Sequence, residues 1–205
     1  MLAGVPVRSQ EAIIQAGRRM HQRNWVPATS GNISVRLSLG PGSIAITRSG
    51  THKGFLDASA VIEVDLDGRP TVDGDRPSAE TLLHCQIFQV FPDAMAVLHG
   101  HSVAGTVLSM QTIGDHLMLT GYELFKAFGG QTRHDTTLRL PILDNDQDIA
   151  RLSRAVAPHL GAAPLGYYIR GHGAYVWGPD LDAALSRLEA LEFLLECELA
   201  RRSCR

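Results

Sequence analysis

Apolar side chains recur along this chain at two spacings, about 3.6 residues and two residues, and short turn signals separate the stretches. Ile13, Ile14, Ala16 and Met20 make the first helical stripe, with Ser9 as its expected cap and Pro27 just beyond its end. Period-two patterning follows in residues 33–37 and 44–46, and the turn Gly40-Pro41-Gly42 between them predicts a hairpin. Residues 61–66 read as another strand, ended by Asp67-Gly68. A second helix is expected from Ser78, with Leu83, Ile87, Val90 and Phe91 on its inner face and Pro92 stopping it.

The second half repeats the alternation. Residues 96–98 form a short buried strand, followed by a helix from Ser102 through Leu108. Residues 120–128 read as a short helix closed by Gly129-Gly130, and residues 138–143 as a strand in which Pro141 implies a sheet edge or a gap in the ladder. Ile149, Leu152, Val156 and Leu160 form a further helical stripe. Residues 167–170 and 174–177 then bracket Gly171-His172-Gly173 as a tight antiparallel pair. A last helix runs from an Asp180 cap through Leu181, Leu185, Leu188, Leu191, Leu195 and Leu199. Hairpins mixed with helices, without a steady βαβ rhythm, predict a mixed sheet covered by helices. At 205 residues, with no internal repeat or long linker, residues 1–205 are expected to form one domain.

Composition narrows the function class. Lys and Arg number 19 against 21 Asp and Glu, and neither sign forms a long block, which argues against nucleic acid or an anionic membrane as partner. No apolar run approaches the roughly 20 residues that span a bilayer, and the first residues lack a cleavable signal pattern, so a cytoplasmic location is expected. Cys85, Cys197 and Cys204 share no metal-ligand spacing and suit free thiols.

Three histidines change the picture. His99 and His101 are two apart at the end of a strand and project to one face, and His172 sits in a glycine-flanked turn. Together they could hold a zinc ion and leave a coordination position open, the arrangement of a catalytic site. The alternative is three unrelated polar residues, since the chain has 9 His. His84 and Cys85 lie on a mostly apolar helix and read as packed residues. His21, His52, His116, His134 and His159 lack paired spacing. Two glycine-rich stretches, residues 29–32 and 47–54, could cradle a phosphate, with Lys53 or Arg48 supplying charge, or could be plain turns. Two acids compete for proton transfer. Glu123 lies three residues after Thr120, the spacing of a capping box, and Glu80 follows Ser78 in the first turn of its helix, so each also has a purely structural reading. Residues 144–148 are acidic but lack the glycine and glutamate of a calcium loop, and read as a turn capping the next helix.

The succession SGNISVR, TRSGTHKGF, RPSAETLLH, FPDAMAVLHGHSV and YYIRGHGAYVWG resembles the class II (zinc-dependent) aldolase/epimerase family over nearly the whole chain. GYELFKAFGG, PILDNDQDI and ALEFLLECEL look most like the dehydratase branch of that family. The resemblance implies an α/β fold, an α/β/α sandwich with a mixed, largely antiparallel central sheet. It also implies a ring-shaped homotetramer with sites near subunit interfaces, and one Zn2+ per subunit on His99, His101 and His172. Glu123 falls where the dehydratases carry their acid/base carboxylate, and Glu80 where the aldolases carry theirs. By similarity to the aldolases, a sugar phosphate would rest against Ser30, Gly31 and Asn32, with Ser49, Gly50 and Ser78 nearby. The expected reaction is dehydration of 5-methylthioribulose 1-phosphate. The alternatives are aldol cleavage or 4-epimerisation of a sugar phosphate, or a non-catalytic interaction module, which loss of a histidine would have favoured. Two departures stand out: Gly100 replaces the threonine usual between the strand histidines, and no aromatic residue follows Phe193, where aldolases bring an aromatic hydroxyl to the site.

Overall fold

The computed structural model describes residues 4–37 and 42–204, and an eight-stranded sheet runs through its centre. The strands are β1 (Asn32–Arg36), β2 (Ser43–Thr47), β3 (Val61–Asp65), β4 (Ala96–Gly100), β5 (His116–Thr120), β6 (Thr137–Leu143), β7 (Tyr167–Ile169) and β8 (Gly173–Gly178). They lie in the order β3-β2-β1-β4-β8-β7-β6-β5. Every neighbouring pair is antiparallel except β6 and β7. Among the described residues, five α-helices cover the sheet: α1 (Val7–Gln22), α2 (Thr81–Val90), α3 (Val103–Gln111), α4 (Ile149–Leu160) and α5 (Leu181–Ser203).

Period-two side chains divide the core between the two faces. Ile33, Leu98, Ala174 and Val176 point toward α1, α3 and α5, where Ile13, Met20, Leu108, Leu188 and Leu191 meet them. Val97, Tyr167, Ile169 and Tyr175 point the other way, toward Leu83, Ile87 and Phe88 of α2 and Leu152, Val156 and Leu160 of α4. Helices on both faces of a mixed sheet make the α/β/α arrangement that the sequence resemblance implies. No helix among the described residues is long and apolar enough to cross a membrane.

The polar side of β1 is buried as well as the apolar one, and several expectations elsewhere need correction. Asn32, Ser34 and Arg36 are all buried under α2, where Ser34 Oγ meets His84 Nδ1 at 2.7 Å and Arg36 donates to the carbonyls of Phe88 and Ala94. The β1–β2 hairpin pairs as expected, though Gly40 and Pro41 of its turn lie outside the described residues. Ser9 lies inside α1, whose N-cap is Pro6, and α2 begins at Thr81 rather than Ser78. Residues 120–128 are not one helix: Thr120 ends β5, Gly121 takes a φ of +80°, and a 3-10 turn spans Glu123–Ala127. The caps at Ser102, Asp148 and Asp180 form as read, each accepting from a backbone N–H in its first turn.

Candidate metal centre

His99 is the last side chain but one on β4, in the middle of the sheet, and His101 follows just past the strand end. The β7–β8 turn brings His172 to them because β8 pairs with β4, placing Gly100 opposite Ala174. The ring centroids lie 4.6 Å (His99–His101), 5.0 Å (His99–His172) and 4.9 Å (His101–His172) apart. One ligand atom from each ring falls within 4.8 Å of the others. The backbone at this junction is close enough to require glycines. A Cβ on Gly173 would stand 2.4 Å from the Gly100 carbonyl and 2.6 Å from His99 Cε1. His101 is held from the other side, its N–H donating to the Trp25 carbonyl at 2.7 Å.

Electrostatics suit a cation. His99 Nδ1 donates to the Ala174 carbonyl at 2.9 Å, which leaves Nε2 as a lone pair without a partner. Complete burial, reinforced by its two histidine neighbours, holds its pKa well below the ordinary value. Burial and then His172 bring His101 to about 4, and burial lowers His172 against the opposing pull of Glu80. At neutral pH all three imidazoles are therefore neutral donors, the form that binds zinc. Tyr175 stacks flat on His99, 4.2 Å between centroids, and fixes the ring from beneath. Nothing in the motif marks this tyrosine, although its two-residue offset from Gly173 puts it on the face of His99.

Glu80 is the carboxylate at the triad, 3.9 Å from His172 Nε2. Burial alone would raise its pKa, but hydrogen bonds from Asn32 and Ser78, with the nearby His172, bring it below the usual value, so it is ionised. Glu80 occupies the N-cap position of α2, where its charge suits the helix dipole, but it makes no side-chain cap and accepts instead from Asn32 Nδ2 at 3.2 Å and Ser78 Oγ at 3.0 Å. Glu123 is exposed. It pairs with Lys126 and approaches His134 at 3.8 Å, and none of its hydrogen bonds or ion pairs reaches the triad of its own chain. Its capping box is absent too, since Thr120 Oγ1 bonds Thr137 Oγ1.

The expected phosphate residues divide. Gly31, at φ +74°, lies against the His99 carbonyl, so Ser30, Gly31 and Asn32 border the ligand strand. Ser30 Oγ and Asn32 Oδ1 are buried without partners. Ser78 bonds Asn32. Ser49 and Gly50 are exposed, on a loop tied by Ser49 N–H to the Arg76 carbonyl at 3.0 Å. Arg48 is engaged by Asp75. Lys53 is buried, and two of its three donors go to the carbonyls of Thr29 and Thr51, both at 2.7 Å, so it joins the two glycine-rich loops. Burial lowers its pKa to about 8, and its charge is felt at Glu80 and His101.

A model of the class II aldolase and adducin N-terminal domain matches residues 11–199. The chain belongs to this family. Among class II aldolase relatives, it is 66% identical over 190 residues to a methylthioribulose-1-phosphate dehydratase of Gluconacetobacter diazotrophicus, covering 93% of this chain and 92% of that one. It is 62% identical over 189 residues to the protein of the same name in Gluconobacter oxydans, covering 92% and 90%. The fold also matches a crystal structure of L-fuculose-1-phosphate aldolase from Thermus thermophilus, with a TM-score of 0.76, 25% identity and 95% of each chain covered.

Proposed function

We propose that this protein dehydrates 5-methylthioribulose 1-phosphate to 2,3-diketo-5-methylthiopentyl 1-phosphate and water, as a zinc-dependent hydro-lyase of methionine salvage. The observation that carries the reading is an intact triad of neutral histidines in a chain 66% identical to a relative of that name. His99, His101 and His172 would hold one Zn2+ per subunit, which when bound polarises the C2 carbonyl of the substrate and acidifies its C3 proton. Ser30, Gly31 and Asn32 border the triad, and the Ser30 hydroxyl, a donor without a partner, suits the sugar phosphate, with Ser49, Gly50 and Ser78 adjoining; the Asn32 amide oxygen can only accept, which suits a substrate hydroxyl instead. Lys53 supports this site by holding the two loops together.

Glu123 removes the C3 proton and returns a proton to the departing C4 hydroxyl, after which the enol tautomerises to the diketone. Glu80, ionised beside His172, has a supporting role. Because Glu123 is exposed and makes no bond to the triad of its own chain, we assign it to the triad of a neighbouring subunit in the homotetramer that the family resemblance implies. Val103, Met110 and Ile113, large apolar residues exposed on and beside α3, suit a subunit contact close behind His101.

The reading is tested by supplying zinc-loaded protein with methylthioribulose 1-phosphate, fuculose 1-phosphate and ribulose 5-phosphate. Diketone from the first and no product from the others is expected, whereas an aldehyde fragment or an epimerised sugar would favour the aldolase or epimerase branch. Glu123→Gln should lower turnover by about 10²–10⁴-fold with zinc content and stability intact. Co-expressing His101→Ala and Glu123→Gln chains should restore activity that neither has alone. Near-normal turnover in Glu123→Gln would return the proton transfer to Glu80.

A further inference from the structure

We propose that Arg170 is a positioning residue for His172, acting by clamping the turn that carries it to the carboxyl end of α3; the inference rests on the metal reading of the triad. The guanidinium meets four acceptors. Nη1 donates to the carbonyls of Ser109 at 2.7 Å and Thr112 at 2.8 Å, Nη2 to the Gly114 carbonyl at 2.7 Å, and Nε to Asp144 Oδ1 at 2.8 Å. Gly171 N–H adds a bond to Ser109 Oγ at 2.9 Å. The last carbonyls of a helix have no partners within it and carry its negative pole, so a planar cation fits there. Asp144 is 88% exposed and contributes little; the three carbonyls do the holding.

His172 needs such a support more than its partners do. His99 has its ring oriented by the Ala174 carbonyl and by Tyr175. Neither ring nitrogen of His172 completes a hydrogen bond, and its Nδ1 is buried without a partner. Metal-binding histidines nearly always gain their orientation from a bond on the second nitrogen. Here the ring can only follow its backbone, which turns through Gly171 at φ +64° and is itself tied by His172 N–H to the Ile169 carbonyl at 2.9 Å, next to the bond of Arg170 N–H to the Leu143 carbonyl at 2.7 Å. The clamp supplies what the ring lacks. It also links the ligands through one element, because the opposite end of α3 starts at the Ser102 cap directly after His101. In the sequence, Arg170 shows only as a charge between a buried strand and the Gly-His-Gly turn.

A lysine keeps the charge but presents no fork, so Arg170→Lys isolates the geometry. Zinc affinity by chelator competition and the visible spectrum of the Co2+ form would be measured for wild type, Arg170→Lys, Ser109→Ala and Asp144→Asn. The expected result is about 10-fold or greater loss of zinc affinity in Arg170→Lys with an altered Co2+ spectrum at saturation. Ser109→Ala should show a smaller change in the same direction, and Asp144→Asn none. A merely structural arginine would lower the melting temperature and leave affinity and spectrum as in wild type, which would overturn the proposal. If Arg170→Lys does not fold, Arg170→Gln, which can still donate to one of the three carbonyls, decides on the same two readouts. Wild-type protein that takes up neither ion would overturn the metal reading itself, and this role with it.

Discussion

A carboxyl group sealed away from water is stable mainly in its neutral form, and Glu192 on α5 is such a group. It is fully buried, and burial pushes its pKa up to about 7 against the lowering effect of the Ser102 hydroxyl. A carboxyl with a raised pKa binds more protons in the folded than in the unfolded chain. Its favourable contribution is complete below about pH 4.5 and is lost as pH rises through about 7. Glu192→Gln should therefore be more stable than wild type near pH 8, by on the order of 3 kcal/mol, with the gap closing near pH 4.5. Denaturation midpoints across that range check it, and parallel profiles for the two proteins would refute it. Residues of this kind were invisible in the sequence, where Glu192 sits in an ordinary helical stripe. The triad was legible because strand periodicity and a glycine turn constrain histidines strongly. Glu80 and Glu123 were not separable by local spacing, since each had a helix-terminus role on paper, and neither makes a side-chain cap in the fold.

Among the elements, the β7–β8 hairpin carries the tightest constraint. Its first β8 residue, Gly173, leaves no room for a methyl group against Gly100 and His99. Gly173→Ala should push β8 from β4, with a stability loss of about 1–3 kcal/mol and weakened metal binding together. Chemical denaturation and zinc titration of the same sample test the pairing of the two effects, and wild-type zinc affinity would show that His99 does not feel the approach. The longer elements were readable from their stripes, as α4 and α5 are. What escaped was short. β5 has two buried residues, Leu117 and Leu119, and its exposed Met118 and Thr120 belong to a sheet edge, a pattern too short to read as a strand, so only Thr120 was assigned, to the helix expected after it. Pro141 sits at a gap rather than an edge: β6 lies between β5 and β7, Pro141 is opposite His116 of β5, and the ladder to β7 begins only at Ile142.

Taken as a whole, the molecule holds its three ligands by sheet pairing, core packing and backbone hydrogen bonds that need no ion. A chelator should therefore remove zinc without unfolding the protein, leaving its far-ultraviolet dichroism unchanged while activity disappears. Collapse of the dichroism on chelation would mean that metal binding drives folding, as in small zinc domains. The same sheet order sets a timetable. His172 follows His101 by 71 residues (172 − 101), yet β4 and β8 are neighbours in the middle of the sheet. A chain leaving the ribosome presents two ligands long before the third, and contacts so distant in sequence close late. The site thus comes into being only when the centre of the sheet is zipped, and a half-made chain has no means of capturing its metal early.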